Sequence, residues 1–445
     1  VNYSEFINRK SQCGGMTGFE PVWMPDFLYD FQRNLVEWSI RKGRAAKFCD
    51  CGLGKTPMQL VWAENMCRKE NGKTLILAPL AVSAQTEREG EKFWIDCKQS
   101  RIGKAMPRIT VTNYEQLHRF DPSDFVAVVC DESSILKNYS GQLRTEIIAF
   151  MQKVKYRLLC SATPSPNDYT ELGNSVEALG IMRRVEMLAN YFIHDAGDTG
   201  KWRLKGHGVN PFWRFVASWA RAVKSPSDLG FDNGKFTLPP LKYETHILKS
   251  TPLSGYLFPI AAVTLDEQRQ ERRETIEERC GKVAEIANRD NKPFAAWCAL
   301  NPESEMMTKM IKGAVEITGS QPDEERAEAM LAFSNGQIRA IVSKPSLCGH
   351  GMNWQHCHNT SFFPSHSHEQ FYQAIRRFWR FGQTEPVTAH IVTTEAESAV
   401  LQNLMEKEKR AEEMFSAIVA NMKDFYSSAK TTYNPNKKME LPKWI

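Results

Sequence analysis

The sequence predicts an α/β protein made of two parallel-sheet lobes in tandem, with a helical insertion in the first lobe. Three observations carry this expectation. The chain has 445 residues, more than a single core of about 250 to 300 residues sustains. Short β-branched runs alternate with amphipathic stretches in the first third and again in the second half, the pattern of parallel strands joined by crossover helices. Between the two units stands the pair Pro239-Pro240, which fits neither a central strand nor a helix interior and marks a crossover.

The first unit offers strands at Ala45–Phe48, Thr74–Ala78, Ile109–Thr112, Phe125–Cys130 and Tyr156–Cys160. Each ends in a motif or turn, so the residues that follow sit at carboxyl ends of strands, where open α/β sheets bind ligands. From Pro164 to about Gly234 the text becomes helical, rich in Trp and Arg and broken by glycines; it reads as an insertion over about 165–234 that projects from lobe 1. The second unit offers strands at Phe294–Ala299, Ala314–Thr318, Ala340–Ser343, Thr360–Phe363 and Val387–Val392, closed by a helix over Glu397–Met422. The expected division is an N-terminal extension at 1–24, lobe 1 at 25–238, lobe 2 at 239–427 and a basic tail at 428–445.

Composition narrows the class. With 42% hydrophobic and 24% charged residues the chain is an ordinary globular one, which excludes wholesale disorder. No apolar run approaches the roughly 18 residues of a membrane span, and Val1–Lys10 lacks the apolar core of an export signal. The expected place is therefore the cytosol, without a membrane partner. Eleven irregularly spaced cysteines then read as reduced thiols. A net charge of +5 is compatible with a polyanion but too small to identify one.

The most informative stretch is Gly52-Leu53-Gly54-Lys55-Thr56, which follows an apolar strand and opens a helical pattern. Glycines let backbone N–H groups face phosphates, the lysine reaches the terminal phosphates, and the hydroxyl suits Mg²⁺. Glycine is absent where Cys49 stands, so the loop has a shortened form. Downstream, the apolar strand Phe125–Cys130 delivers Asp131 and Glu132 together. Paired carboxylates at a strand end suit hydrolysis of a nucleotide: Asp131 to hold Mg²⁺ and Glu132 to orient and deprotonate water.

Further motifs carry a resemblance. Asp131-Glu-Ser-Ser-Ile-Leu-Lys-Asn138 resembles the Asp-Glu-Ala-His…Leu-Lys-Asn box of the Swi/Snf-like branch of superfamily-two helicases. Cys160-Ser-Ala-Thr-Pro164 with Asn167 and Glu171-Leu172 resembles that branch's Gly-Thr-Pro…Asn…Glu-Leu motif, and Gln373-Ala-Ile-Arg-Arg377-Phe-Trp-Arg380-Phe-Gly-Gln383 its Gln-Ala…Arg…Arg-Ile-Gly-Gln signature. In order, the motifs cover residues 28 to about 395. The resemblance implies two RecA-like lobes, ATP and Mg²⁺ as cofactors, and a monomeric motor that translocates along nucleic acid, double-stranded DNA above all, without separating its strands. A chain this compact is what a phage or bacterial motor would be.

Carried over residue by residue, the resemblance implies that Gln32 reads adenine, that Gly52, Leu53, Gly54 and Lys55 hold phosphates, and that Thr56 and Asp131 hold the metal. Glu132 is the base, and Gln373, Arg377 and Arg380 reach the nucleotide from lobe 2. Arg377 and Arg380 are expected three apart on one helix face. Thr112, Asn113, Ser161 and Thr163 would couple hydrolysis to the nucleic-acid track, with Gly349, Gly351 and Asn353 of Gly349-His-Gly-Met-Asn353 approaching nucleotide and backbone. Two departures touch the track: Gln85 stands near the place of the family's tryptophan, and Val342–Cys348 departs from its Ala-Gly-Gly form.

Other readings stay open. The ATPase motifs are shared with strand-separating DNA and RNA helicases, and a nonhydrolysing DNA-binding clamp would keep the same loop. Cys348, His350, His356, Cys357, His358, His366 and His368 crowd together, but their spacing matches no zinc-ligand framework. Cys49-Asp50-Cys51 reads as packing beside the loop. Trp202, Trp213 and Trp219 with their neighbouring arginines fit a nucleic-acid clamp or a core contact equally well. The charge run Asp266–Arg279 reads as a solvated helix face, and the lysine-bearing tail as solvated chain.

Overall fold

The structure is a computed structural model that describes residues 15–137, 141–195, 198–249, 265–348, 353–365 and 367–431. Asn138, Gly349, His350, Gly351, His366 and the tail beyond 431 lie outside the described residues. The strands of lobe 1 are β1 (Arg44–Cys49), β2 (Thr74–Ala78), β3 (Cys97–Gln99), β4 (Ile109–Asn113), β5 (Ala127–Asp131), β6 (Tyr156–Ser161), β7 (Phe192–Asp195), β8 (Asp198–Leu204) and β9 (Ala220–Val223). Seven of them form one sheet in the order β3-β4-β2-β5-β6-β1-β9, every neighbouring pair parallel. β7 and β8 pair antiparallel on their own.

Helices cover both faces, which is why β2, β5 and β6 are buried at every position and are apolar apart from Thr74, Asp131, Arg157 and Ser161. Helices α1 (Asp30–Lys42) and α2 (Lys55–Glu70) bury Leu35, Val36, Met58 and Trp62 on one face, with α3 (Leu80–Lys92) beside β3 and β4. The other face takes α4 (Gln142–Lys153), α5 (Leu172–Leu179), α6 (Arg184–Tyr191) and α7 (Val209–Trp219), through Ile147, Val176, Met187 and Phe215.

Lobe 2 follows the proline pair. Its strands are β10 (Leu241–Leu248), β11 (Phe294–Trp297), β12 (Ala314–Ile317), β13 (Ala340–Ser343), β14 (Asn359–Phe362) and β15 (Val387–Thr394), ordered β10-β15-β14-β11-β13-β12 and parallel throughout. Its helices are α8 (Leu265–Glu274), α9 (Ile276–Ala287), α10 (Asn301–Met310), α11 (Asp323–Ser334), α12 (Pro345–Cys348), α13 (His368–Ile375) and α14 (Ser398–Thr431). The chain is thus a tandem of RecA-like α/β lobes, and all ten expected strands are present, each within two residues at either end.

Two expectations about organisation are corrected. The stretch at 165–234 does not simply project: β9 is the sheet edge beside β1, and Trp213 and Trp219 are core residues, leaving only Trp202 of the three half-buried, its ring tilted by 37° against that of His194 with centroids 3.7 Å apart. The physical reason is an apolar face on α7, which Phe212, Phe215, Val216 and Trp219 bury. The closing helix, α14, does not stay with lobe 2. Leu404 packs in lobe 2, whereas Met414, Phe415, Ile418 and Met422 enter the core of lobe 1. At 34 residues α14 is about 50 Å long, enough to bridge both lobes. It also takes in residues 428–431, expected as the start of the tail. Among the described residues no helix is long and apolar enough to cross a membrane.

Candidate active site

The carboxyl ends of the lobe 1 strands all meet at one edge, and the phosphate-loop sequence lies on it. β1 ends at Cys49, and the turn is made by Gly52 and Gly54 at φ +86° and +75°, values that side chains with a Cβ rarely adopt. Gln32 of α1 fixes the loop: its Nε2 donates to Leu53 O at 2.9 Å and its Oε1 accepts from Tyr29 N at 3.1 Å. A Cβ on Gly54 would lie 2.4 Å from that Nε2, so the glycine also makes room for the glutamine. Lys55 opens α2 and donates from Nζ to Cys49 O at 3.1 Å, with Thr56 half-buried beside it.

Asp131 and Glu132 close β5 across from this loop. Asp131 is 5% exposed, accepts from Gln59 Nε2 at 2.6 Å, and its backbone carbonyl accepts from Tyr114 Oη. Burial, then the neighbouring Glu132 charge, push its carboxyl up to about 6. Burial works against the Lys55 ammonium too, but Cys51, Glu132 and Asp131 outweigh it and raise its pKa. The two carboxylates and the lysine therefore share one electrostatic environment. Glu132 takes φ +52°, left-handed backbone that is strained for a long side chain and concentrates at functional sites. Ser161 Oγ lies 3.5 Å from Glu132 Oε2 and accepts from Thr163 N at 3.0 Å, a relay from β6 to the carboxylate.

Lobe 2 reaches this edge with α13 and the turn after it. Asp50, one residue past β1, accepts from Arg376 Nη2 at 2.5 Å, from Cys51 N at 2.6 Å and from Tyr372 Oη. Its neighbour Gly52 faces the backbone of Phe381, which would stand 2.7 Å from an added Cβ. Ser134 Oγ donates to Glu369 Oε1 at 2.5 Å, and Lys137 pairs with the same carboxylate. Arg377 is buried at 8% exposure; burial and then Arg380 push its pKa down to about 10, while Cys51 and Glu132 pull the other way. Burial lowers Arg380 as well, again against Cys51. Two guanidinium groups are thus held together in a poorly solvated place that faces the phosphate loop, a costly arrangement that an anion offsets.

The sequence placed Arg377 and Arg380 on a helix, and that is corrected. α13 ends at Ile375: Arg377 N and Phe378 N bond only three residues back, to Ala374 O at 3.2 Å and Ile375 O at 3.0 Å, and Arg377 O is taken by Trp354 N at 3.0 Å. Both arginines lie on the turns that follow. Gln373, buried at 6% exposure, is on α13 itself. Residues the sequence reading did not single out for the site are Gln59, Tyr372 and Arg376, and Asp50 is an interlobe ion-pair partner rather than packing. A charge between two cysteines at a loop mouth, and an arginine immediately before the pair already named, were the available signals.

At the same edge Thr112 Oγ1, Asn113 Oδ1 and Thr163 Oγ1 are buried without a hydrogen-bond partner among the described residues. A cavity of about 440 Å³ opens there, lined by Pro79, Leu80, Tyr114, Glu132, Lys137 and Glu369. Asn353 is exposed; Gly349 and Gly351 fall outside the described residues. The expected tryptophan's place is held by Gln85, which donates to Glu89 Oε1 at 3.1 Å. In the Cys/His-rich segment, Cys348 donates to Ser343 Oγ at 3.3 Å, Cys357 donates to Asn359 O at 3.2 Å, and His368 pairs with Glu408. The described members of that segment do not converge on a metal position.

Fold and site together define a two-lobed α/β chain with a glycine-lysine loop and a carboxylate pair on one lobe and an arginine-bearing turn on the other. No protein-family model and no curated protein matches the chain. Among solved structures it is similar to the Sulfolobus solfataricus SWI2/SNF2 ATPase core in complex with dsDNA, at 16% identity and a TM-score of 0.42, over 90% of this chain and 96% of that one.

Proposed function

We propose that this chain is a nucleic-acid-stimulated ATPase that translocates along duplex DNA by opening and closing its lobes. The observation that carries the reading is the convergence of Lys55, Asp131 and Glu132 from lobe 1 with Arg376, Arg377 and Arg380 from lobe 2 around one loop mouth. The donor set fits a magnesium nucleotide: backbone N–H groups and an ammonium for phosphates, a hydroxyl and a buried carboxylate for the metal. Bound there, ATP·Mg²⁺ would supply the phosphoanhydride to be cleaved and the charge that both lobes neutralise.

Each side chain then has a task. Gln32 holds the loop and would read adenine; Lys55 and the loop N–H groups would bind phosphates; Thr56 and Asp131 would hold the cation. Glu132, one residue along, takes the proton from the attacking water. Arg377 and Arg380 arrive only when the lobes close, and arginines supplied in this way are worth about 10³ to 10⁵ in rate, or about 4 to 7 kcal/mol of barrier. Hydrolysis is thereby tied to closure. Gln373 supports the arginine turn from within α13.

The track follows from the motif resemblance, supported by the unsatisfied buried polar atoms of Thr112, Asn113 and Thr163 and by the Ser161–Glu132 contact beside them. Contacts of this kind go to phosphates, so affinity falls steeply with salt and reads little sequence. ATP turnover titrated with single- and double-stranded DNA and RNA at low salt tests the reading. Stimulation strongest with duplex DNA is expected; turnover indifferent to every nucleic acid rules the motor out.

A further inference from the structure

Away from the cleft, three side chains on the edge of lobe 2 bring one ligand atom each to a common point. β10 is the first strand after the Pro239-Pro240 crossover and pairs in parallel with β15, Glu244 opposite His390 and His246 opposite Val392. Glu244 and His246 are two apart on one strand and so share a face. His246 Nε2 lies 3.2 Å from His390 Nδ1, and Glu244 Oε2 lies 3.3 Å from that same nitrogen; all three atoms fall within 4.8 Å of one another. His390 is buried, His246 half-buried and Glu244 exposed, so the point is walled by protein and open to water on one side.

Hydrogen bonding among the three serves one pair at a time. A ring nitrogen carries either a hydrogen or an in-plane lone pair. With a hydrogen, His390 Nδ1 serves one of two acceptors, the Glu244 carboxylate or an unprotonated His246 Nε2. Without one, it accepts from His246 and turns its lone pair toward the carboxylate. A divalent cation takes all three lone pairs at once. Two of the three separations, 3.2 and 3.3 Å, equal the edge, about 3.3 Å, of a tetrahedron built on zinc–ligand bonds of about 2.0 to 2.1 Å, and the third is within 4.8 Å.

The surroundings agree with that occupant. A metal takes imidazole through an unprotonated ring nitrogen, and each of the two rings brings one nitrogen to the common point. Lys282 and Arg289 of α9 also press on His246, but both are paired with Glu285, at 2.8 and 3.2 Å. We propose that Glu244, His246 and His390 form a zinc site, with solvent as the fourth ligand, that ties the strand leaving the interlobe crossover to β15. β10 is an edge strand with mostly exposed side chains, so little apolar packing fixes it, and a metal tie would hold its register. The site is independent of the nucleotide cleft.

The test uses the full chain, stripped with a chelator and titrated with Co²⁺ and then Zn²⁺ while visible d–d absorption is followed. One equivalent of tetrahedral cobalt absorption is expected, without thiolate-to-cobalt charge transfer, displaced by zinc. It should weaken at least about tenfold in affinity in His390→Ala, His246→Ala and Glu244→Gln, the last two being on the exposed edge where folding is least at risk. Absence of the band in the parent chain, a band with thiolate charge transfer, or a band unchanged in His246→Ala and Glu244→Gln overturns the site. ATP hydrolysis does not enter the readout, so this result and the motor reading fail separately.

Discussion

Asp50 and Arg376 form an ion pair at 2.5 Å although 326 residues separate them, and both side chains are less than a tenth exposed. It joins the mouth of the phosphate loop to the end of α13. Removing one partner of a buried pair leaves an uncompensated charge at a cost of about 3 to 5 kcal/mol, which the protein escapes by opening its lobes. Asp50→Ala and Arg376→Ala should therefore each lower kcat for ATP hydrolysis and move lobe-borne fluorophores apart. The double variant should be less impaired than the sum of the two. Additive effects in that double-mutant cycle would show the contact to be idle.

The buried Asp131 makes a pH prediction. Its pKa is about 6 against an ordinary 3.8, so the ionised form is disfavoured in the fold. Its favourable contribution is fully present below about 3.8 and is lost as pH rises through about 6. At pH 7, without Mg²⁺ or nucleotide, Asp131→Asn should unfold later than the parent by on the order of 1 to 3 kcal/mol, and the advantage should vanish under acid conditions. Identical unfolding midpoints at neutral pH would contradict the shift.

Glu132→Gln removes the base while keeping size and one acceptor. Hydrolysis should fall by about 10² to 10⁴ with nucleotide binding retained, read by turnover alongside equilibrium titration of a fluorescent ATP analogue. A variant as fast as the parent assigns the base elsewhere.

The return of α14 to lobe 1 predicts that its distal half stabilises a lobe it does not belong to in sequence. Ile418 is fully buried, and Ile418→Ala should cost about 2 to 5 kcal/mol in denaturant unfolding of lobe 1. A cost within error of zero would mean that the helix is not seated there.

Much of this was legible in the residues. Strands buried on both faces declare themselves by apolar stretches such as Leu75–Ala78 and Leu158–Cys160, and the loop Gly52–Thr56 is set by the backbone geometry phosphates need. β10 was not legible, because an edge strand reading Leu-Lys-Tyr-Glu-Thr-His-Ile-Leu has exposed polar positions where a central strand is apolar. β3, at three residues, is too short to show a period, and β9 was absorbed into the helical reading of 165–234. The destination of α14 was hidden for another reason: its apolar stripe announces a helix with one buried face but not which lobe supplies the other side. Arg376 was overlooked beside Arg377 and Arg380 since motif spacing identifies types of residue, whereas an ion pair with Asp50 exists only once two lobes meet.

The most direct measurement is single-turnover ATP hydrolysis by the parent, Arg377→Ala and Arg380→Ala at saturating duplex DNA, with nucleotide affinity measured in parallel. Carboxylates on one lobe served by guanidinium groups from the other predict a fall of about 10³ or more in the rate while ATP still binds. Rates equal to the parent's, with DNA bound, would contradict it.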